Sequence, residues 1–420
     1  MKIAWPSKYG EGAWLAWLLS KNGHDVSLSI ATPACRDVLR GLVNQVESLE
    51  EPAAYDLAVF DSTGQGKLAD ELNRTIPTIG DSSFADKLEE DRLFALEFME
   101  QCGIAVPPWE SFDNPSEAIR YIKKQNTRQV FKPIGEQADK STSYVSSSAE
   151  DMLRYFDVLF RSTPQKEFVL QEVVDGTEVS TEMYVNETGY YAVNHTLELK
   201  RLMNGDLGPN TGCSGSLVWM AHKENQIFEK GLKRTVRALQ DASYRGPVDL
   251  NTIVNRAGVW ALEFTPRFGY DATALFARLL PEEFGDFLYA IATGQKVPDL
   301  IQKHSFCSSV RVAIPPYPTE GLPPKFYKEG VPIEGLTEEM LESFYIFDVR
   351  KKEDSEELES AGVCGWIGGP LCLGETPGQC FEDANSAISR LRIPNKMYRT
   401  DCLSNTAKRY NELREGGWLR

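Results

Sequence analysis

The sequence predicts a multidomain protein that combines α/β and α+β architecture. Its 420 residues are enough for about three domains of roughly 150 residues each. Strand and helix signals alternate over residues 1–80, which is typical of a parallel sheet covered by helices. From residue 129 the pattern changes to a series of strands that includes a tight hairpin, and this change separates the N-terminal part of the chain from the remainder.

The composition is that of a globular protein with an acidic surface. Hydrophobic residues make up 42% and charged residues 25% of the chain, which excludes a disordered protein. There are 45 Lys and Arg residues against 61 Asp and Glu residues, so the net charge is −16. This charge argues against general nucleic-acid binding and against binding to anionic membranes. A local basic pocket for a small phosphate ligand is compatible with it.

A cytoplasmic location is predicted. No apolar run approaches the ~20 residues that span a bilayer, and the first residues lack the charged-then-apolar layout of a signal peptide. The eight cysteines are too sparse for a disulfide scaffold, and the four histidines form no paired motif. We expect buried, reduced thiols.

The first 80 residues hold one clear amphipathic helix between short strands. Ala13, Trp14, Trp17 and Leu18 recur at helical spacing, and Gly23 ends the predicted helix. The predicted strands cover 2–5, 26–30 and 56–60.

Further along the chain, breaker residues set the element boundaries. Gly103 ends a helix predicted over 86–102, and the Gly, Pro, Asn and Ser content of 204–216 predicts a loop. The remaining predicted helices cover 115–125, the vicinity of 149–161, 224–242, a charged stretch near 350–360, and 381–391. The remaining predicted strands cover 130–132, 168–172, 179–185, 190–196, 248–254 and 259–265, with a glycine-containing loop at 135–143 and short strands after 305.

The hairpin at 248–265 places acidic residues on adjacent strands. Period-two alternation puts Asp249 and Asn251 on one face of their strand, and Glu263 and Thr265 on one face of theirs. If the two faces coincide, two carboxylates meet, and a divalent cation offsets their repulsion. Mg²⁺ favours one or two carboxylates completed by substrate phosphates. The alternative is an exposed polar face with ordinary ion pairs. If the two carboxylates were the only evidence, this alternative would be favoured.

Three further residues fit a nucleotide site. Arg267 follows the second hairpin strand and has the geometry to bind a phosphate through two hydrogen bonds. Lys132 leaves an apolar strand just before Gly135, an arrangement that binds phosphate but also arises by chance. Glu172 ends the strand at 168–172, and such a segment can hold a purine edge through its backbone.

The order of these features resembles the ATP-grasp superfamily, and within it the glycinamide ribonucleotide synthetase family. The most specific likeness is Glu198-Leu199-Lys200-Arg201, followed by Gly-Pro-Asn-Thr-Gly-Cys at 208–213, where the family has Asp-His-Lys-Arg and Gly-Pro-Asn-Thr-Gly-Gly. Glu-Phe-Thr-Pro-Arg-Phe-Gly at 263–269 resembles the metal-binding Glu-Phe-Asn-x-Arg-Phe-Gly. Weaker likenesses lie at 88–92, 175–180 and 368–373.

Departures from the family pattern affect both substrate and phosphate contacts. The phosphate loop at 135–141 keeps Lys140 but loses glycines, which leaves fewer backbone N–H groups free to approach phosphate. Thr265 replaces the metal-site Asn, and Leu199 replaces the family's His. Tyr-Asp-Ala at 270–272 stands where the family has Asp-Pro-Glu, and the glycine-rich first turn is also altered.

The resemblance implies an ATP-dependent carboxylate–amine ligase, which forms an acyl phosphate and releases ADP. It implies an N-terminal domain at 1–84, a two-lobed ATP-grasp core at 85–304 with its smaller lid lobe at 126–196, and a small C-terminal α+β domain at 305–420. The implied cofactors are ATP and Mg²⁺ or Mn²⁺. The implied partners are a small carboxylate and a small amine, with the chain as a monomer or homodimer.

The resemblance also implies a role for each matching residue. The implied contacts are Arg92, Lys132 and Lys140 with the ATP phosphates, Glu172 with adenine, Glu178 with the ribose, Asp249, Glu263 and Thr265 with the metal, Arg267 with the transferred phosphoryl group, and Lys200, Arg201, Gly208, Pro209, Asn210, Thr211 and Gly212 with the acceptor.

Two alternatives stay open. One is glycinamide ribonucleotide synthetase activity itself, against which the altered first turn and the changed 270–272 segment argue. The other is a non-catalytic nucleotide-binding module, which Thr265 and the glycine-poor loop favour. The retained Lys132, Asp249, Glu263 and Arg267 oppose that second alternative.

Overall fold

The structure is a computed structural model that describes residues 1–135, 143–162, 167–222, 224–280, 283–298, 300, 304–319 and 322–420. It confirms the mixed fold class, with a parallel N-terminal sheet and antiparallel sheets in the core. No described helix is both long and apolar enough to cross a bilayer. All eight cysteines are free, and five of them are buried.

The N-terminal sheet is parallel, as predicted. Its strands are β1 (Lys2–Ser7), β2 (Asp25–Ile30), β3 (Leu57–Val59) and β4 (Thr78–Ile79), in the order β2-β1-β3-β4. Helix α1 (Ala13–Lys21) buries its two tryptophans against this sheet, and α2 (Gly66–Leu72) follows β3. The indole N–H of Trp14 donates to the carbonyl of Leu341 at 2.8 Å, which ties α1 to the C-terminal part of the chain.

The single helix predicted over 86–102 is wrong, because two helices occupy this segment. They are α3 (Ser83–Glu90) and α4 (Arg92–Gln101). Asp91 between them has extended backbone angles, and its side chain accepts a hydrogen bond from the N–H of Phe94 at 3.0 Å. This capping contact starts a new helix and places Arg92 in its first turn.

A four-stranded antiparallel sheet comes next along the chain. Its strands are β5 (Trp109–Phe112), β6 (Gln129–Pro133), β7 (Tyr144–Val145) and β8 (Phe168–Glu172), in the order β5-β8-β6-β7, with helices α5 (Pro115–Gln125) and α6 (Ala149–Ser162). Phe131, Phe156 and Phe168 pack together between sheet and helices. Alternation along β6 puts Lys132 on the opposite face of the sheet from the buried Phe131.

A seven-stranded antiparallel sheet forms the centre of the molecule. Its strands are β9 (Thr177–Asn186), β10 (Gly189–Met203), β11 (Leu207–Met220), β12 (Gly246–Asn255), β13 (Gly258–Thr265), β14 (Phe306–Val310) and β21 (Cys372–Gly374), in the order β13-β12-β9-β10-β11-β14-β21. The loop predicted at 204–216 is wrong. Only Asn204–Asp206 form a turn, and the glycines lie in an irregular part of β11 where the register with β10 shifts.

The helix predicted over 224–242 is divided. Gly231 has backbone angles outside the helical region, and it separates α7 (Gln226–Lys230) from a short 3₁₀ turn (Leu232–Thr235) and α8 (Val236–Asp241). Helices α9 (Tyr270–Leu279) and α10 (Phe284–Ala292) come after the hairpin.

The C-terminal segment contains two further small sheets. One orders β15 (Val312–Ala313), β20 (Trp366–Pro370) and β17 (Phe344–Ile346), and the other orders β16 (Glu329–Pro332), β19 (Leu358–Ala361) and β18 (Val349–Lys351). The charged helix predicted near 350–360 is therefore wrong, because a turn joins β18 to β19 there. Helices α11 (Pro377–Arg390) and α12 (Cys402–Glu415) complete the described elements.

Candidate active site

The polar faces of the β12–β13 hairpin coincide. Asp249 lies opposite Thr265, and Asn251 lies opposite Glu263. Directly opposed residues on neighbouring strands have Cβ atoms about 4.5–5.5 Å apart. All four side chains line one cavity of about 390 Å³. The hairpin therefore presents two carboxylates, an amide and a hydroxyl to a common space.

Acidic side chains predominate around this cavity. Its lining includes the carboxylates of Glu182, Glu198, Asp249, Glu263 and Asp271, against the cations Lys200 and Arg267. Burial raises the pKa of Glu182 and of Glu198 to about 7. Burial, followed by repulsion from Glu182 and Glu198, holds the pKa of Asp249 well above its ordinary value. A bound cation would relieve this repulsion.

Lys200 joins two strands of the central sheet through ion pairs. Its Nζ donates to Glu178 Oε1 at 2.6 Å and lies 3.8 Å from Glu198 Oε2. Burial opposes the charge of Lys200, but Glu178, Glu198 and Glu263 outweigh it and raise its pKa. Glu178 also accepts a hydrogen bond from Asn251 Nδ2 at 2.8 Å. Lys200 is therefore a fixed cation at the edge of the cavity.

Arg92 and Lys132 approach Glu263 from two other elements. Burial lowers the pKa of Lys132 to about 8, repulsion from Arg92 and Lys200 adds to this, and Glu263 opposes it. Burial lowers the pKa of Arg92 as well, again against the attraction of Glu263. Within the described part of the chain, Arg92 Nε is buried without a hydrogen-bond partner. Convergent cations with unused donors form a site suited to a polyanion.

Arg267 is held at the end of β13 by a carboxylate from α3. Its Nε donates to Glu89 Oε1 at 3.1 Å, and its guanidinium lies over the ring of Tyr270 with 5.2 Å to the centroid. Burial opposes the charge of Arg267, but Glu89 outweighs burial and raises its pKa. The guanidinium lines the same cavity as the hairpin carboxylates.

The residues expected to contact the nucleoside lie apart from the small cavity. Glu172 ends β8 opposite Gln129, and its backbone N–H donates to the carbonyl of Pro108 at 2.8 Å. Glu178 lines a larger cavity of about 870 Å³, which helix α12 and the end of β12 also border. The ion pair of Glu178 with Lys200 stands between the two cavities. Lys140 lies outside the described residues.

The structure separates the residues expected to bind the acceptor. Asn210 and Gly212 line the small cavity. Thr211 is buried, and its Oγ1 donates to the carbonyl of Lys200 at 3.2 Å. Arg201 is exposed and donates to the carbonyl of Gly208 at 2.8 Å, so it braces the hairpin between β10 and β11. Pro209 is exposed beside Gly208.

Several site residues were missed by the sequence reasoning. Glu182 and Glu198 line the cavity, as do Ser180 and Thr196. These positions alternate along β9 and β10, so the period-two pattern that identified the hairpin could also have found them. Arg311 had no such signal. It is 8% exposed, and its Nη1 donates to the carbonyl of Thr211 at 2.8 Å from a distant part of the chain.

Another cluster also has metal-ligating side chains. His24, Glu283 and Asp286 bring their ligand atoms within 4.8 Å of one another, and both carboxylates are exposed. In the described ranges, no other group of three His, Cys, Asp or Glu residues has its ligand atoms within 4.8 Å of one another. At the hairpin an ion would therefore need oxygens beyond the carboxylates, from an amide, a hydroxyl or substrate phosphates.

Comparisons with known proteins agree with this geometry. The family model "Phosphoribosylglycinamide synthetase, ATP-grasp (A) domain" matches residues 90–273. A phosphoribosylamine–glycine ligase of Caldanaerobacter subterraneus is 27% identical over 383 residues, covering 86% of this chain and 88% of that protein. A human trifunctional purine biosynthetic protein, adenosine-3, is 24% identical over 339 residues, covering 78% of this chain and 33% of that protein.

Solved structures show the same fold. A phosphoribosylamine–glycine ligase from Thermotoga maritima superposes with a TM-score of 0.74 at 21% identity, covering 96% of this chain and 100% of that one. A biotin carboxylase–nucleotide complex from Campylobacter jejuni superposes with a TM-score of 0.66 at 12% identity, covering 99% of this chain and 98% of that one. The expected resemblance is thereby confirmed: the chain contains an ATP-grasp domain of the phosphoribosylglycinamide synthetase type at residues 90–273.

Proposed function

We propose that this protein is an ATP-dependent carbon–nitrogen ligase that joins a small carboxylate to a small amine. The observation that carries the proposal is the cavity in which Lys200 and Arg267 face the carboxylates of Asp249 and Glu263. The charges of Arg92 and Lys132 also interact with Glu263. A triphosphate needs convergent cations, and its bridging metal needs carboxylate oxygens. Both are present at one end of the hairpin, and the named relatives that are ligases support the same assignment.

The nucleotide contacts proposed here follow the resemblance. Arg92 and Lys132 would bind the phosphates, together with Lys140 from the loop outside the described residues. Glu172 would meet the adenine edge. Glu178, which lines the 870 Å³ cavity, would meet the ribose. These roles are assigned from the resemblance, and the charges and positions of the described residues are compatible with them.

The donor set of the hairpin fits a hard divalent cation. Asp249, Glu263 and Thr265 all present oxygen atoms to the cavity, as Mg²⁺ or Mn²⁺ requires. The raised pKa of Asp249 indicates a carboxyl group whose charge lacks compensation. When bound, the ion would neutralise the ATP phosphates; Asp249, Glu263 and Thr265 would position it.

The proposed reaction has two steps. A carboxylate oxygen of the acid attacks the γ-phosphorus, the bond from that phosphorus to the β,γ-bridging oxygen breaks, and ADP leaves. The amine then attacks the acyl carbon, the bond from carbon to the phosphate oxygen breaks, and the amine loses a proton. Arg267, held by Glu89, would stabilise charge on the transferred phosphoryl group. Lys200, with Arg201 bracing its hairpin, would face the acceptor.

The acceptor end of the cavity differs from the family pattern. Leu199 is fully buried among apolar side chains and offers no hydrogen bond where the family has histidine. Asp271 accepts from Ser216 Oγ at 2.7 Å and lies 3.6 Å from Arg311. We therefore propose an acceptor other than the purine pair of phosphoribosylamine and glycine, since unpaired polar groups exclude a substrate strongly. The residues that would bind the acceptor are Gly208, Pro209, Asn210, Thr211 and Gly212.

The second candidate is phosphoribosylamine–glycine ligase activity, which the names of the relatives favour. Measuring ADP release with phosphoribosylamine plus glycine, against a panel of other acid–amine pairs, separates the candidates. A kcat/KM of about 10⁴ M⁻¹s⁻¹ or above for the purine pair, as the best of the panel, would establish the second candidate. Tight ATP binding without ADP release for any pair would instead indicate a non-catalytic module. Cytoplasmic location and a monomeric or homodimeric state stay predictions.

A further inference from the structure

We infer that Asn251 is a direct ligand of the divalent cation at this hairpin, through its side-chain amide oxygen. The inference rests on the proposed function, because it concerns the same nucleotide and metal site. Thr265 offers only a hydroxyl oxygen to the cavity. Asn251 lies on the neighbouring strand and offers an amide to the same cavity.

The register places Asn251 between the two carboxylates. It is directly opposite Glu263 and two residues from Asp249, so all three side chains leave the same face of the sheet. Opposed side chains have Cβ atoms about 4.5–5.5 Å apart. A single ion between the strands can therefore reach the side chains of both Asn251 and Glu263.

The orientation of the amide is fixed by Glu178. Asn251 Nδ2 donates to Glu178 Oε1 at 2.8 Å, and Lys200 Nζ donates to that same oxygen at 2.6 Å. An ionised carboxylate only accepts hydrogen bonds, so a flipped amide would place its oxygen against Glu178. Oδ1 of Asn251 is therefore directed away from Glu178.

That oxygen is buried and unpaired. Asn251 is 6% exposed, and its Oδ1 has no hydrogen-bond partner among the described residues. Buried polar atoms in folded proteins are nearly always paired, so an exception at a cavity indicates a missing ligand. Its neighbours on the hairpin face, Asp249 and Glu263, add carboxyl oxygens that can also bind a cation. An amide oxygen beside two carboxylates is the donor set that a hard cation takes.

The test measures metal binding rather than turnover. Mn²⁺ replaces Mg²⁺, and electron paramagnetic resonance follows free Mn²⁺ during titration of the full chain with ADP present. Asn251→Leu removes the oxygen and should weaken Mn²⁺ binding about tenfold or more, at least the loss seen for outer-shell partners. Asn251→Asp keeps an oxygen but loses the donor to Glu178, and it should bind Mn²⁺ more tightly than Asn251→Leu does.

Three results would overturn the inference. Unchanged Mn²⁺ affinity in Asn251→Leu would show that the amide is not a ligand. Equal losses in the Leu and Asp variants would show that Asn251 only supports Glu178. If Asn251→Leu bound ADP more weakly in the absence of metal, Oδ1 of Asn251 would instead accept a hydrogen bond from a hydroxyl group of the nucleotide.

A thiol variant covers the case in which Asn251→Leu fails to fold. Asn251→Cys should bind Cd²⁺ with a thiolate charge-transfer absorption that the parent chain lacks, because a soft ligand selects a soft metal. Absence of that absorption in a folded variant contradicts direct ligation. If the parent chain binds neither ADP nor Mn²⁺, the proposed function itself fails; if it binds both and the variants behave as it does, only this inference fails.

Discussion

The guanidinium of Arg267 and the carboxylate of Glu89 form an ion pair with 3.0 Å between Nη2 and Oε1, and both side chains are only 16% exposed. The pair connects the end of strand β13 to helix α3, across 178 residues of sequence. Arg267 is thus oriented by a residue that is distant from it in the sequence. Its direction into the cavity depends on how two distant elements pack.

Glu89→Gln should lower kcat more than it raises KM for ATP. The substitution removes the charge that orients Arg267, while the amide preserves the size of the side chain. Loss of a charged hydrogen-bond partner costs about 1.5–3 kcal/mol. If this cost raises the free energy of the transition state but not that of the bound substrates, the rate falls roughly 10- to 100-fold. Steady-state kinetics check this, with Glu90→Gln on the exposed neighbouring position as the control. Equal effects of the two substitutions would contradict a role for the ion pair.

Glu263→Gln should abolish turnover and leave the fold intact. The charge of Glu263 acts on Arg92, Lys132 and Lys200, and Glu263 faces Asn251 across the hairpin, so the neutral variant loses the charge on which the metal and phosphates depend. We expect a loss of about 10²–10³-fold in ADP formation, as for other removed electrostatic groups. An unchanged thermal unfolding transition is the control for folding. Unaltered ADP formation would remove Glu263 from the metal site.

Lys132→Met should weaken ATP binding more than adenosine binding. The ammonium group serves phosphate, so the difference should be about 1.5–3 kcal/mol, the value of a hydrogen bond to a charged group. Calorimetry with both ligands measures it. Equal losses for ATP and adenosine would make Lys132 a structural residue.

ATP affinity should also fall as the pH rises past about 8. Burial, with repulsion from Arg92 and Lys200, lowers the pKa of Lys132 to about 8 in the free protein. Below that pH the lysine is already charged, and above it ATP binding must take up a proton. The fall should disappear in Lys132→Arg, because arginine stays charged. An ATP affinity of the wild-type protein that is constant from pH 7 to about 9.5 would contradict the lowered pKa of Lys132.

Glu182→Gln should stabilise the protein above neutral pH. Burial raises the pKa of Glu182 to about 7, so the folded state holds this proton more tightly than the unfolded state does. The contribution of Glu182 to the free energy of unfolding is fully present below the pKa of the unfolded state. It is lost as the pH rises through about 7. The gain at pH 8 should be about 3 kcal/mol, from 1.4 kcal/mol per pKa unit. Urea unfolding at pH 5 and pH 8 checks this, with the exposed Glu224→Gln as the control.

The hairpin could be predicted because its chemistry is local. Strand alternation alone puts Asp249, Asn251, Glu263 and Thr265 on shared faces, and the short turn aligns the two strands. The parallel N-terminal sheet was predictable from the same kind of periodic signal.

The predictions that failed depended on contacts outside each segment. The break at Asp91 arises from a side-chain cap that competes with a continuous apolar stripe. Residues 207–216 have a loop-like composition, yet β10 and β14 pair with them and hold them extended. Arg311 reaches Thr211 across 100 residues, and no pattern in either segment indicates that contact.

The most direct test of the central claim is the path of an oxygen atom. A carboxylate substrate found active in the panel is labelled with ¹⁸O and incubated with ATP, Mg²⁺, the amine and the protein, and the released phosphate is analysed by mass spectrometry. The proposed acyl phosphate transfers one ¹⁸O atom from each carboxylate consumed to inorganic phosphate, and ADP forms in equal amount. Release of ADP and product with unlabelled phosphate would show that the carboxylate is not phosphorylated, and the proposed mechanism would be wrong.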